Sequence, residues 1–228
     1  MTLQEFTATV LSVNDETRII LNQTVFYPKS GGVEGDMGLI IREPDGEIFT
    51  VIRTEKKGDE IIHIIDHPGL DPEDVVQGII DWPRRYELMR YHTAAHVLSG
   101  VFWNEGQVKV TGNDISIGQG RIDFNFQDFQ RDLIEKFVTQ ANEIIKQDLQ
   151  IITYFISREE LEKDPSLTKL AMGIPKHIET IRIVEIKGYD KQPDGGCHVS
   201  SLKAIGTVAI TKIKNKGKNN RRLYFELT

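Results

Sequence analysis

Two histidines stand four residues apart in the stretch His92-Thr93-Ala94-Ala95-His96. On an α-helix, residues four apart project from the same face, so these two imidazoles can converge on one metal ion. The spacing alone equally fits two histidines that pack in a core or face solvent. A metal site is favoured by a second unusual segment much further along the chain, Asp194-Gly195-Gly196-Cys197-His198.

Asp194 and His198 are also four residues apart, and the two glycines between them allow a sharp bend. Such a bend can turn a carboxylate and an imidazole toward one point. With His92 and His96 they predict a tetrahedral site of three nitrogens and one oxygen, or a site with three protein ligands and a water. Cys197 is the alternative ligand, because a thiolate binds zinc better than a carboxylate does. In an extended segment, however, its side chain points away from that of its neighbour His198.

The bulk composition is that of a folded protein that carries no general affinity for nucleic acid. The 228 residues are 39% hydrophobic and 27% charged, with a formal net charge of −6. This length accommodates two domains. An acidic chain does not coat nucleic acid by long-range attraction, so a nucleic-acid partner has to be bound by a local basic patch.

Cysteine content and hydropathy bear on the compartment. A single cysteine cannot form an intramolecular disulfide, which fits a reducing environment. The N-terminal residues lack the regions of a signal peptide. No apolar run approaches the roughly 20 residues that a membrane-spanning helix needs. We expect a cytoplasmic protein that does not use a membrane.

The first third of the chain alternates short β-rich segments with turn sequences, which predicts a small β-barrel domain over residues 1–83. The expected strands are residues 5–14, 17–21, 38–42, 48–54, 60–65 and 76–81. The thirteen-residue segment from Phe26 to Gly38 contains four glycines and two aromatic residues. It is either an ordered loop that closes the barrel or a loop that contacts substrate through Gly31 and Gly32.

Asp81-Trp82-Pro83 reads as the end of a strand followed by the first turn of a helix, which we expect over residues 84–103. His92 and His96 are expected at the border of its buried face. Residues 107–126 alternate like strands, and residues 131–146 repeat apolar positions at helical spacing. Strands at 149–156, 180–186, 206–214 and 222–227, with a short helix after Ser157, complete an α+β domain at 84–228 with an antiparallel sheet and packed helices.

The two candidate metal segments resemble the second additional domain, an editing fold, of alanyl-tRNA synthetase and its free-standing relatives, the AlaX proteins. Those families carry HxxxH followed by CxxxH as zinc ligands. Further matches are the glycine loop, the lead-in from Asp81 to Arg85, Thr111-Gly112-Asn113, Arg121-Ile122-Asp123-Phe124 and Ile205-Gly206. A barrel plus an editing domain looks like the medium-length AlaX type. The chain departs from the family by Asp194 in place of the usual cysteine and Cys197 in place of threonine, and the glycine loop differs at Ser30-Gly31-Gly32-Val33.

The resemblance implies a metal-dependent hydrolase that uses one Zn²⁺ per chain to clear serine, or glycine, from the 3′ end of mischarged tRNA(Ala). His92 and His96 are then catalytic as well as metal ligands. Thr111 is the expected contact to the serine hydroxyl, with Thr93 as second choice. The densest basic cluster is expected to receive tRNA phosphates, a solvated hairpin being the other interpretation; it comprises Lys212, Lys214, Lys216, Lys218, Arg221 and Arg222.

Other interpretations of the function stay open. They are an editing domain for another aminoacyl-tRNA, a tRNA-binding module that has lost catalysis, and an unrelated zinc hydrolase of small esters. The chain is expected to be a monomer or a homodimer. His63 and His67 have no partners at ligand spacing and are interpreted as structural or surface residues, while His177 is expected on an exposed loop.

Overall fold

A computed structural model of the chain describes residues 3–43, 45–126, 131–164, 167, 178–217 and 219–228. The chain divides into two compact units, Met1–Leu88 and Met89–Thr228. Their boundary falls inside a helix, whereas the sequence places it at residue 83; the domain limits at 83 and 84 stay a prediction. In the described part of the chain, no helix is both long enough and apolar enough to cross a bilayer.

The first unit is a closed antiparallel barrel, as the alternating pattern predicts. Its six strands follow the order β1-β2-β5-β4-β3-β6. The strands are β1 Glu5–Asn14, β2 Arg18–Leu21, β3 Gly38–Arg42, β4 Ile48–Lys57, β5 Glu60–Ile65 and β6 Val75–Ile80. Alternate residues point inward, so Val10, Ile40, Phe49 and Val76 are fully buried in its centre. The only large difference from expectation is β4, which is three residues longer.

The glycine loop between β2 and β3 is ordered by a buried ion pair. The Asp36 carboxylate accepts from both the Nε and the Nη2 of Arg85 and from the backbone N–H of Tyr27. Gly31 and Gly32 occupy the two central positions of a tight turn, with φ of 58° and 79°, closed by paired hydrogen bonds between Ser30 and Val33. Positive φ at both positions explains why glycine stands there.

Helix α1 spans Trp82–Gly106, slightly longer than predicted. Asp81 caps its first turn by accepting from the backbone N–H of Arg84 at 3.1 Å. Every residue from 91 to 100 is buried, so the expectation that His92 and His96 lie at the border of the buried face is wrong. Residues 91–102 are buried on every side of the helix, as expected of a segment that passes through a protein interior.

The second unit is α+β, with two antiparallel sheets. The larger has the order β12-β13-β8-β7 and the smaller the order β11-β10-β9. The strands are β7 Val110–Ser116, β8 Gln119–Phe124, β9 Ile151–Ser157, β10 Thr180–Ile186, β11 Asp190–Pro193, β12 Val208–Asn215 and β13 Arg221–Leu227, and the helices are α2 Arg131–Lys146 and α3 Arg158–Lys163. The predicted strand-like stretch from 107 to 126 is a hairpin, β7 and β8, and β11 was not predicted.

Packing of α1, α2 and α3 positions the sheets. Helix α2 buries Ile134, Phe137, Ala141 and Ile145 at helical spacing, as predicted. The predicted start of α3 is confirmed by a complete capping box at Ser157. The turn between β10 and β11 is held on α1 because the Tyr189 hydroxyl donates to the Val97 carbonyl at 2.9 Å.

Candidate metal centre

Helix α1 presents His92 and His96 one turn apart, with ring centroids separated by 5.2 Å. His198 joins them from the segment after β11, its ring 4.4 Å from that of His92 and 4.6 Å from that of His96. All three histidines are buried. Three imidazoles therefore meet in the interior of the second unit.

Asp194 completes the group. Its Oδ2 lies 3.4 Å from the Nε2 of both His92 and His96, and its Oδ1 lies 3.3 Å from the Nε2 of His198. The ligand atoms of the four residues all lie within 4.8 Å of one another. The Asp194 side chain is 20% exposed, more than any of the three histidines. The cluster is therefore most open on its carboxylate side.

The segment that carries Asp194 and His198 can bend this closely because residue 196 has no side chain. A Cβ at Gly196 would stand 2.5 Å from the His92 Cε1, closer than real Cβ contacts occur. The backbone N–H of Gly196 also donates to Asp194 Oδ1. A Cβ at Gly195, in contrast, meets nothing within 4 Å. Gly196 is required by the packing of the site, and Gly195 is not.

Arg182 on β10 holds the ligand segment in place. Its Nη1 donates to the carbonyls of Asp194 and Gly196 at 2.8 and 2.9 Å, and its own carbonyl accepts from the Asp194 N–H at 3.0 Å. Reasoning from the sequence missed this residue. The available signal is an arginine within a strand rich in β-branched residues, whose other charged residue is Glu185.

Thr93 orients His198. The Thr93 hydroxyl donates to the Met89 carbonyl at 2.8 Å and lies 3.1 Å from His198 Nδ1. Because the hydroxyl has only one hydrogen, His198 Nδ1 is the donor, which leaves Nε2 with a lone pair facing the cluster. A hydrogen bond of this kind is what fixes the tautomer of metal-binding histidines. Thr93 as a substrate contact stays a prediction, and its buried position favours this orienting role.

The electrostatics of the cluster suit a cation. Burial alone raises the pKa of Asp194, but its interactions with His92, His198 and His96 outweigh burial and hold that pKa well below its usual range. Burial lowers the pKa of His198, with added repulsion from His92 and His96. An ionised carboxylate beside a neutral imidazole is the protonation state in which these groups bind a metal.

The donor set fits a tetrahedral Zn²⁺ site. Zinc takes imidazole nitrogens and carboxylate oxygens at about 2.0–2.2 Å, so neighbouring ligand atoms of a tetrahedron lie about 3.3–3.5 Å apart. The Nε2 atoms of His92 and His96 each lie 3.4 Å from Asp194 Oδ2, which matches two edges of that tetrahedron, and His198 Nε2 lies 3.3 Å from the other carboxylate oxygen, Oδ1. Cys197 is buried and does not belong to the group of converging ligand atoms among the described residues.

The structure places the other predicted site residues elsewhere. Thr111 lies at a bulge in β7, where its hydroxyl accepts from Asn220 Nδ2 at 3.2 Å. Gly31 and Gly32 form the tight turn of the first unit. His63 is buried in the barrel, with Nε2 2.9 Å from the Thr24 hydroxyl. His67 stacks on Phe49. Lys218 and His177 lie outside the described residues.

Among the described residues of the basic cluster, the lysines are exposed and the arginines are hydrogen-bonded within the protein. Lys212, Lys214 and Lys216 are exposed on β12 and the following turn. Arg222 donates twice to the Asp123 carboxylate, at 2.7 and 2.6 Å, which raises the pKa of the guanidinium. Arg221 is buried and donates to three oxygens of its own hairpin turn. The lysines are the members best placed to meet an external phosphate.

Two separate parts of the chain match known protein families. Residues 181–224, which run from β10 through the ligand segment and β12 into β13, match the family described as the threonyl and alanyl tRNA synthetase second additional domain. Residues 1–84 match class II (A) tRNA synthetases. The fold and the site thus define a protein of the synthetase second-additional-domain class.

Relatives that are similar over nearly the whole chain identify the family more narrowly. The chain is 43% identical to alanyl-tRNA editing protein AlaX-M of Methanosarcina barkeri, a match that covers 99% of this chain and 95% of that protein. It is 41% identical to AlaX-M of Methanosarcina mazei, with coverage of 99% and 92%. AlaX-M of Saccharolobus solfataricus is 39% identical, with coverage of 98% and 94%. The chain belongs to the AlaX-M family of alanyl-tRNA editing proteins.

Proposed function

We propose that this protein hydrolyses the ester bond of tRNA(Ala) mischarged with serine, with glycine as the second substrate, and that it requires one Zn²⁺ per chain. The observation that carries the proposal is the convergence of His92, His96, Asp194 and His198 within 4.8 Å in a chain of the AlaX-M family. The names of the relatives support alanyl-tRNA editing as the general activity.

His92, His96, Asp194 and His198 would hold the Zn²⁺, and the ion would supply a positive charge that can polarise an ester carbonyl or orient a water. His92 and His96 hold their nitrogens rigidly, because both stand on a buried helix. Arg182 and Thr93 keep Asp194 and His198 in register with them. The aminoacyl ester enters from the side of Asp194, where the cluster is most exposed. Rigid placement of the ester lowers the entropic part of the barrier.

Selection of serine requires a polar contact that alanine cannot make. A site that hydrogen-bonds the serine hydroxyl leaves a buried group unpaired when alanine enters, which disfavours the correct product. Thr111 is the proposed contact. Its hydroxyl already accepts from Asn220 and can still donate its own hydrogen.

The tRNA body is proposed to lie on one face of the larger sheet. Lys212 and Lys214 are paired in register with Tyr224 and Arg222, which places the four side chains on the same face. Lys214 stands 5.5 Å over the Tyr224 ring. Lys216 extends the positive charge beyond the end of β12, and Lys218 belongs to the same basic stretch of the sequence. Such contacts orient a nucleic acid without reading its sequence.

The test is to incubate the purified protein with seryl-, glycyl- and alanyl-tRNA(Ala), with and without a chelator. We expect rapid, chelator-sensitive loss of serine, slower loss of glycine and stable alanine. Absence of deacylation by metal-replete protein would overturn the proposal and favour a binding module. Deacylation of another aminoacyl-tRNA instead would retain the hydrolase and replace its substrate.

A further inference from the structure

Phe155 is an aromatic side chain in an unusual position. At 68% exposure it is the most exposed large hydrophobic residue in the described part of the chain. It lies on β9, an edge strand of the smaller sheet. Solvent-exposed aromatic rings on a rigid element are a common means of recognising flat ligands, including nucleobases.

The strand beneath the ring is firmly held. Tyr154 and Ile156, on either side of Phe155, point to the opposite face and pack with Leu161, Ile181 and Ile183. The backbone of β9 is paired with β10 along its whole length. Exposure of the Phe155 ring is thus a property of a fixed strand, and the ring is presented at a fixed position.

The register places Phe155 beside the metal centre. Phe155 is opposite Arg182 across the β9–β10 pair, so their side chains share one face of the sheet. On its other side, Arg182 bonds to the backbone of Asp194. With strands about 4.8 Å apart, the Phe155 backbone is about 10 Å from that of Asp194. Phe155, Arg182 and Asp194 form one row across the sheet.

We propose that Phe155 stacks on the terminal adenine base of the substrate tRNA. The inference rests on the proposed function, in which the aminoacyl ester of the terminal ribose lies at the metal centre. The base of that same nucleotide then reaches about one nucleoside length away, which is the separation between Asp194 and Phe155. The neighbours of Phe155 on its face, Thr153 and Arg182, carry no negative charge, so they do not repel an RNA end.

The proposal is tested by binding of two 5′-labelled trinucleotides to the full-length protein, one ending in adenosine and one ending in the same ribose without a base. We expect the wild-type protein to prefer the adenosine probe about tenfold, the size of one stacking contact. Phe155→Ala should bind both probes equally, and Phe155→Trp should keep the preference. Ile152→Ala is the matched control, because Ile152 is exposed on the opposite face of the same strand, and it should behave as wild type.

Two results would overturn the proposal. The first is an unchanged preference for the adenosine probe in Phe155→Ala, or no preference in the wild-type protein. The second is a dimer of the wild-type protein that Phe155→Ala converts to a monomer in sedimentation experiments, since a second copy then covers the ring. Deacylation assays on the same preparations separate this inference from the proposed function. A protein that prefers the adenosine probe through Phe155 but does not hydrolyse seryl-tRNA(Ala) refutes the function and supports the base contact.

Discussion

Gly196 allows the backbone of the ligand segment to pass close to His92, a candidate metal ligand. The ligand segment passes so close to His92 that only a residue without a side chain fits there, while the adjacent Gly195 faces open space. The same segment carries Asp194, at the position where the resemblance to the CxxxH motif predicts a cysteine.

Gly196→Ala is expected to displace the His92 ring and to lower bound zinc and deacylation together by about tenfold or more, since a ligand displaced from its geometry loses affinity. Gly195→Ala is the matched control and should retain both, because its Cβ contacts nothing. Zinc content by elemental analysis and single-turnover deacylation are the measurements. Equal behaviour of the two variants would contradict the packing that we describe.

Asp194→Ala is expected to weaken zinc binding by more than the 10- to 100-fold that loss of an outer partner costs, because it removes a direct ligand. Cys197→Ser should bind zinc as the wild-type protein does, since the thiol is not part of the converging group. Competition with a chromophoric chelator measures both affinities. The opposite ranking would assign the fourth ligand to Cys197.

The barrel and the start of α1 contain buried polar side chains that require hydrogen-bond or ion-pair partners. His63 on β5 is fully buried and bonds to Thr24 and to the Ile19 carbonyl. Asp36 in the loop before β3 is paired with Arg85 at the start of α1. Neither contact is part of the metal centre, so both test the fold independently of the function.

His63 makes the barrel sensitive to acid. Burial lowers its pKa from 6.5 to about 4, so the unfolded chain takes up a proton at a higher pH than the folded chain does. The contribution of neutral His63 to stability is therefore complete above pH 6.5 and is lost as the pH falls from 6.5 to 4. Between pH 7 and pH 5 we expect the free energy of unfolding to fall by about 2 kcal/mol more in the wild-type chain than in His63→Gln. Urea unfolding at both pH values measures this difference, and an identical pH dependence would contradict it.

The buried ion pair of Asp36 and Arg85 is expected to contribute to the free energy of unfolding. Asp36→Asn leaves Arg85 buried without its counter-charge, which costs about 3–5 kcal/mol of unfolding free energy. Glu34→Gln is the control, because Glu34 pairs with Arg84 at a more exposed position and its loss should cost about 0–1 kcal/mol. Urea titrations monitored by circular dichroism give both values. Similar losses in the two variants would show that burial does not govern the strength of the pair.

At the scale of the whole molecule, the sequence predicted the barrel, the long helix and the hairpin of β12 and β13 well. Their signals are local, namely alternation, helical spacing and turn residues. The four candidate metal ligands could also be predicted from the sequence, because the helical spacing and the Gly-Gly bend are each patterns of five residues. The roles of Arg182 and Thr93 could not be predicted from local patterns. The role of Arg182 depends on the register of β10 and β11, and that of Thr93 depends on a contact between α1 and a segment about a hundred positions later. The burial of residues 91–100 likewise arises only from tertiary packing.

The four converging residues are proposed to form a zinc site that hydrolyses mischarged tRNA(Ala). Single-turnover deacylation of seryl-tRNA(Ala) by metal-depleted protein titrated with Zn²⁺ tests this claim most directly. We predict that activity is absent at the start, rises in proportion to added zinc and reaches its plateau at one ion per chain. Full activity in the metal-depleted protein, or none at the plateau of zinc binding, would contradict the claim.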